Sequence, residues 1–347
     1  MGAVGFILLL SLSIAQPTSS DDPAAVQETC LACHEDPSLE VTLPSGEVLP
    51  LHVDRAVLAG SVHGARHSCL DCHPAMAENP HPPQTAQSRR DFRVASYEAC
   101  KRCHFENYTR TLDSAHARAL ARGDQNAPTC VDCHGAHDIQ PPAEPRTRIS
   151  ATCATCHAGV NQAYAKSVHG AALSAEDNPD VPVCTDCHQS HAIAGTDTAG
   201  WRARTPELCG TCHGDAARMA KYGLSTDVTT TYLQEFHGMT ASLDAESGNG
   251  ATFSALCTDC HGVHDIGKAT GAGATEMRAH LAERCRTCHP GASDDFPDAW
   301  LSHWEPSWSH APLVYAVQWM YWIMIPFIIG GLLLQILLHV WRVVVNR

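Results

Sequence analysis

One motif accounts for every cysteine in this 347-residue chain. Cys-x-x-Cys-His occurs nine times. Its first cysteines are Cys30, Cys69, Cys100, Cys130, Cys153, Cys184, Cys209, Cys257 and Cys285. Its second cysteines are Cys33, Cys72, Cys103, Cys133, Cys156, Cys187, Cys212, Cys260 and Cys288. Two thiols at this spacing can bond to the two vinyl groups of one c-type haem, and the next histidine then lies under the iron. A disulfide framework has no use for a histidine after every second cysteine. Zinc ribbons pair Cys-x-x-Cys units about 15–20 residues apart, and most gaps here are longer. The motifs therefore predict nine covalently bound haems c. Their proximal ligands are His34, His73, His104, His134, His157, His188, His213, His261 and His289.

A chain that wraps nine macrocycles needs little core of its own. Only 6% of the residues are aromatic, and several of those sit in one C-terminal stretch. The expected fold class is mainly α and coil, packed on haem, with little sheet and one C-terminal transmembrane helix. Folding should require the cofactor. Leu39–Val53 (LEVTLPSGEVLPLHV) alternates on both sides of Pro44-Ser45-Gly46 and predicts an N-terminal β-hairpin. The formal charge of −14 argues against nucleic acid and favours partners with basic docking surfaces, although solubility alone also explains it.

The motifs alternate. Those at Cys69, Cys130, Cys184 and Cys257 carry Asp71, Asp132, Asp186 and Asp259 before the second cysteine, and the other five do not. This is a two-haem repeat starting near 30, 100, 153 and 209, with a final single haem near 285. Pro- and Gly-rich stretches separate the repeats but are too short to be interdomain linkers. One continuous haem-bearing domain is expected over 21–308.

The sixth ligand of each iron decides between wire and enzyme. Fourteen of the 23 histidines lie outside the motifs. One recurring context follows each plain motif and supplies His63, His116, His169, His237 and His303. Another lies three residues after an Asp-type motif and supplies His137, His191 and His264; its short reach favours a neighbouring haem over its own. The first Asp-type motif breaks the pattern. It reads CHPAM, with Met76 at the histidine position and His81 five residues on. Either side chain is a candidate ligand for the second haem, and methionine would raise its potential. With His81 the distal set numbers nine for nine irons. His52, His67, His280, His310 and His339 are surplus.

Two apolar segments place the chain. Val4–Ile14, followed by a small-x-small pattern, predicts a signal peptide over 1–15, with an uncleaved anchor as the alternative. From Leu313 to Leu338 no residue is charged, which predicts a transmembrane helix over 312–341. Trp319, Tyr321, Trp322 and Trp341 fit aromatic belts. The basic residues that follow predict a cytoplasmic tail over 342–347 and a haem domain outside the bacterial inner membrane, in the periplasm. His339, with Gln335 a turn earlier, reads as a snorkelling side chain or as a contact with a partner's haem or quinone site.

The repeated S-V-H-G and C-x-D-C-H-G-x-H-D-I segments resemble multihaem cytochromes c of the cytochrome c3-like, doubled-motif group. The ending, SHWEPSWSHAPLV before an aromatic helix, resembles the membrane-anchored nine-haem subunits of bacterial quinone-oxidoreductase complexes. That resemblance implies a b-type cytochrome or other quinone-reactive integral membrane subunit as partner, on a separate polypeptide. It also implies periplasmic cytochromes or reductases as redox partners. The expected function is electron transfer between the two. The alternatives are a multihaem reductase of nitrite, hydroxylamine or tetrathionate type, which needs an open iron, and a direct quinol dehydrogenase. The complete set of histidines disfavours the reductase. The sequence order nominates the last haem, flanked by His289 and His303, as the membrane-side entry.

Overall fold

A computed structural model describes residues 22–78, 80–196, 199–246, 254–268, 274–299 and 303–346. The expected signal peptide lies outside them. The chain forms two compact units. The first runs to Ala158 and takes back Val183–Ala194; the second holds Gly159–Pro182 and everything from Gly195.

The first unit opens with the helix Pro23–His34, which carries the first motif. Asp22 caps it by accepting from the Ala24 N–H at 3.0 Å, and Pro23 occupies the first turn, where its missing N–H costs nothing. The expected hairpin follows. Strands Glu40–Thr42 and Val48–Pro50 pair antiparallel, with Val41 opposite Leu49. Gly46 takes a φ of 86°, which turns the chain at the position read from the sequence. Beyond it the unit is built of short helices. Most plain motifs end a helix, and each Asp-type motif begins one.

The second unit contains two helical hairpins. Ala158–Lys166 meets Val168–Glu176, and Val228–Gln234 meets Phe236–Glu246. Each turn is closed by a glycine that permits backbone contact. A Cβ on Gly170 would lie 2.1 Å from the Tyr164 carbonyl oxygen, and one on Gly238 would lie 2.0 Å from that of Tyr232. Apolar packing by protein side chains is thin. Among the described residues the hydrophobic cluster is Tyr232, Ala241 and Leu256, with Ala203 against it. Among the described residues the fold is mainly helical with one hairpin, as expected from the sequence.

The helix Pro312–Val345 closes the chain. Its 34 residues span about 51 Å at 1.5 Å per residue, and its most apolar stretch has a mean hydropathy of 2.3. It is long and apolar enough to cross a membrane. Pro326 removes one internal hydrogen bond, which apolar surroundings tolerate when neighbours reclaim the carbonyl. The helix continues past residue 341, so the segment expected as a tail is helical through Val345.

Candidate haem sites

The acidic residue of the Asp-type motif has a local structural task. Asp71, Asp132, Asp186 and Asp259 accept the backbone N–H groups of Ser68, Thr129, Val183 and Leu256 at 2.7–2.8 Å. Each thereby caps the one-turn helix that holds both cysteines. Four of the five plain motifs lie at the end of a helix of eight or more residues, and the fifth begins within the short helix Tyr97–Lys101.

A second partner of these carboxylates escaped the sequence reading. Arg93 reaches Asp132 at 2.8 Å, Arg146 reaches Asp186 at 2.6 Å and Arg202 reaches Asp259 at 2.8 Å. Each arginine lies seven residues before the first cysteine of its plain motif, which on a helix is the same face. Arg278 holds that position before Cys285, where no Asp-type motif follows, and pairs with Asp298 instead. Burial pushes the Asp132 carboxyl up, but the Thr129 N–H and hydroxyl, with Arg93 and Arg90, carry it below the usual carboxylate range. In the first repeat, His67 lies 3.6 Å from Asp71.

The cysteines come together in sequence order. Cys30 lies beside Cys69, Cys100 beside Cys130, Cys153 beside Cys184, and Cys209 beside Cys257. Each pair joins the two motifs of one repeat. Between repeats, Cys72 lies within electrostatic reach of Cys100, Cys133 of Cys156, and Cys260 of Cys285. Within each unit the attachment points therefore follow one another as they do along the chain.

The two thiols of a motif differ in burial. Every first cysteine is half-buried. The second cysteine is exposed in most motifs, as Cys33, Cys72, Cys103, Cys133, Cys156 and Cys288, and half-buried as Cys187, Cys212 and Cys260. In the four two-motif repeats the first thiol faces the first thiol of the other motif, and the second stands three residues further along. Cys103 comes within electrostatic reach of Cys72. Cys212 accepts from the Arg218 guanidinium at 2.9 Å, an arginine on the next helix, Ala216–Ala220. A sulfur on an open face has room for a bond to a haem vinyl group. Cys33 and Cys103 fit that role by exposure, and Cys187 and Cys212 by their place beside His188 and His213.

The histidines exchange between repeats. His63 faces His104 with ring centroids 6.0 Å apart, His116 faces His157 at 6.2 Å, His169 faces His213 at 6.3 Å and His237 faces His289 at 6.5 Å. In these pairs the distal candidate comes from the preceding repeat. In the opposite direction His137 faces His73 at 6.2 Å and His191 faces His134 at 6.1 Å. His303 faces His261 at 6.1 Å, and His81 faces His34 at 6.0 Å. His188 in the first unit and His264 in the second complete the two sets.

These separations fit haem iron. Two metal–imidazole bonds of about 2 Å, each with roughly 1.2 Å from nitrogen to ring centre, place two centroids about 6.4 Å apart. Burial lowers the pKa of the rings, His169 to about 4, with its neighbour His213 adding to the effect. The same cause acts on His73, His134, His213, His261 and His303. A neutral imidazole keeps the lone pair a metal needs. The His34 Nδ1 lies 2.7 Å from the Leu51 carbonyl oxygen, a contact that fixes ring orientation.

Two further sequence expectations change. Met76 and His81 were candidates for the second haem, but His137 stands opposite His73. His81 stands opposite His34, in the first site. Likewise His303 does not flank the last motif: it faces His261, and His289 faces His237. The cause is the same in both cases. A distal side chain close in sequence to a motif is directed by its turn toward the neighbouring site.

A backbone contact runs with the exchange. The N–H groups of Val62, Ala115 and Val168 donate to the carbonyls of Ile139, Ile193 and Ile266 at 2.8–2.9 Å. Each donor precedes a distal histidine, and each acceptor lies two residues after one in the next repeat. Gly135 and Gly262, at φ of 77° and 80°, turn the chain between the proximal and distal histidines of the acceptor segment.

Residues 123–214 match the family model of cytochrome c3. That stretch holds four of the nine motifs, from Cys130 to His213. Comparison with curated proteins and with solved structures gave no match.

Proposed function

We propose, from the premise that the cytochrome c3 segment makes this chain a multihaem electron-transfer cytochrome of c type, that it is the membrane-anchored electron-transfer subunit of a quinol oxidoreductase complex. In this reading the chain carries nine haems, each bound by two cysteines and two histidines. They pass electrons between a quinone-reactive integral membrane subunit and periplasmic redox acceptors, with Pro312–Val345 as the anchor. The haem supplies the one-electron chemistry; the protein supplies its spacing, its ligands and its exclusion of other ligands.

One observation supports the reading: eight pairs of histidine rings stand 6.0–6.5 Å apart, a separation that would let imidazole take both faces of an iron. A six-coordinate iron changes little between oxidation states and has no place for substrate, which suits conduction better than reduction of a small molecule. The consecutive cysteine contacts support a continuous path within each unit. The apolar helix and the basic residues Arg342 and Arg347 support the anchor and its orientation.

Electron paramagnetic resonance of the purified ferric protein tests the closed irons. Only low-spin signals are expected. A high-spin ferric signal that shifts on adding nitrite or cyanide would replace this reading with the reductase. The membrane half is tested by adding duroquinol to membranes containing the chain. Haem that dithionite reduces but duroquinol does not would remove the quinone partner.

A further inference from the structure

The site built by His261 and His303 is joined to the apolar helix by a folded connection. His303 is the candidate ligand closest in sequence to Pro312. The residue after it, Trp304, stacks face to face on His310, with centroids 4.5 Å apart and planes 4° from parallel. The Ser307 N–H donates to the His310 carbonyl at 2.7 Å, and the His310 N–H donates to the Ser307 hydroxyl at 3.0 Å. These bonds close 304–310 into a tight turn. Trp308 then packs edge-on against Tyr315 on the first turn of the helix, at 5.2 Å. The surplus histidine His310 thus has a place, as the stacking partner that holds the turn shut. An extended connection of this length could reach roughly 30 Å; folding it on itself and onto the helix shortens that reach.

We propose that the His261–His303 site, the eighth along the chain, is the membrane-side end of the haem array, held there by the aromatic turn Trp304–His310. This rests on the reading of Pro312–Val345 as a membrane anchor and deepens it by naming the site where electrons cross between the array and the membrane partner. The ninth site is built differently. Its ligand pair is His289 with His237, and Phe296 packs on His289 at 5.2 Å. None of those residues belongs to the turn. Electron tunnelling weakens steeply with distance, so the site whose own ligand is tied to the anchor is the one placed for exchange. The aromatic contacts continue from Tyr315 to Trp319 at 6.3 Å and from Trp319 to Trp322 at 6.5 Å, so one face of the helix carries rings toward the membrane.

The test uses the full chain, haem-loaded, in lipid nanodiscs whose headgroups carry a nitroxide. Oxidised low-spin haem speeds the relaxation of nearby nitroxides, and reduced low-spin haem does not. His303→Met raises the potential of one haem, so that it can be reduced while the others stay oxidised. Reducing it is expected to remove more than half of the relaxation enhancement. The same procedure on His237→Met, at the ninth site, is expected to leave the enhancement within a fifth of its starting value. The reverse pattern would overturn the proposal. A second variant keeps every ligand: eight Gly-Ser residues inserted between Ser309 and His310 are expected to lower the enhancement at least twofold, and no change would also overturn it. No quinone enters these measurements. Failure of the quinone partner with duroquinol would leave them standing, and their failure would leave the electron-transfer reading standing.

Discussion

The arginine–aspartate pairs give a stability difference between repeats that can be measured. Asp259 does two things. It caps the Cys257–His261 helix by accepting the Leu256 N–H at 2.8 Å, and it takes both guanidinium nitrogens of Arg202 at 2.8 Å. Loss of a cap costs about 1 kcal/mol. The two side chains are 40% and 35% exposed, so solvent screening holds the paired charges to about 1 kcal/mol despite their two-point geometry. Asp259→Ala is therefore expected to cost about 2 kcal/mol. Asp71 caps its helix in the same way at 2.8 Å, but its carboxylate has only His67, 3.6 Å away, as an ion-pair partner among the described residues. Asp71→Ala is expected to cost about 1 kcal/mol. Guanidinium unfolding of the haem-loaded protein, followed at the haem band, gives the two midpoints. Arg202→Met, alone and combined with Asp259→Ala, gives a coupling energy expected near 1 kcal/mol. Equal midpoints for the two aspartate variants, or no coupling between Arg202 and Asp259, would refute the assignment of a second role to this residue.

Other outcomes follow from the same geometry. Gly238→Ala drives a Cβ to 2.0 Å from the Tyr232 carbonyl and should cost about 1–3 kcal/mol, whereas Gly159→Ala, with nothing within 4 Å, should be neutral or better in the same denaturation assay. His81→Ala should open one iron and produce a high-spin haem signal; Met76→Leu should leave every haem low-spin, and the opposite result would return Met76 to the ligand set. The Asp132 carboxyl is lowered in the folded state, so its stabilisation is complete above the unfolded-state carboxylate pKa of about 3.9 and is lost as pH falls through the lower folded value. The stability gap between wild type and Asp132→Asn should accordingly be constant from pH 7 to 5 and close below about pH 4; a gap unchanged at pH 3 would contradict it.

Much of this protein is legible in its sequence because its chemistry is written in local patterns. The haem attachments, the hairpin around Gly46, the two-haem alternation and the long apolar helix each need only a few consecutive residues. The distal histidines were legible as a set, but their assignment was not. A histidine near its own motif is brought by the following turn to a neighbouring iron, and nothing in the spacing of CHPAM or LSHW fixes the direction. The unequal burial of Cys30 and Cys33, or of Cys100 and Cys103, was not legible either, because it depends on which motif packs alongside. The arginine ties were visible in principle as Arg93, Arg146, Arg202 and Arg278 at one fixed offset from a cysteine. Nothing in haem attachment itself calls for an arginine at that offset; its partner is the aspartate of the next motif. The bonds from Val62, Ala115 and Val168 leave no trace in residue type, since only backbone atoms meet.

The exchange of histidines also governs how the molecule can be made and how it can change. If haem is held as proposed, an iron on His73 gains His137 only once the next repeat is present, whereas an iron on His104 finds His63 already made. The same arrangement resists loss of one segment between motifs, since deleting that of His116 or of His137 would leave His157 or His73 without the ring it faces. The His-x-Ile segments of the second and third repeats place His137 and His191 opposite rings of the repeat before, whereas the first repeat has Met76 at that place and its His81 faces His34 within its own repeat.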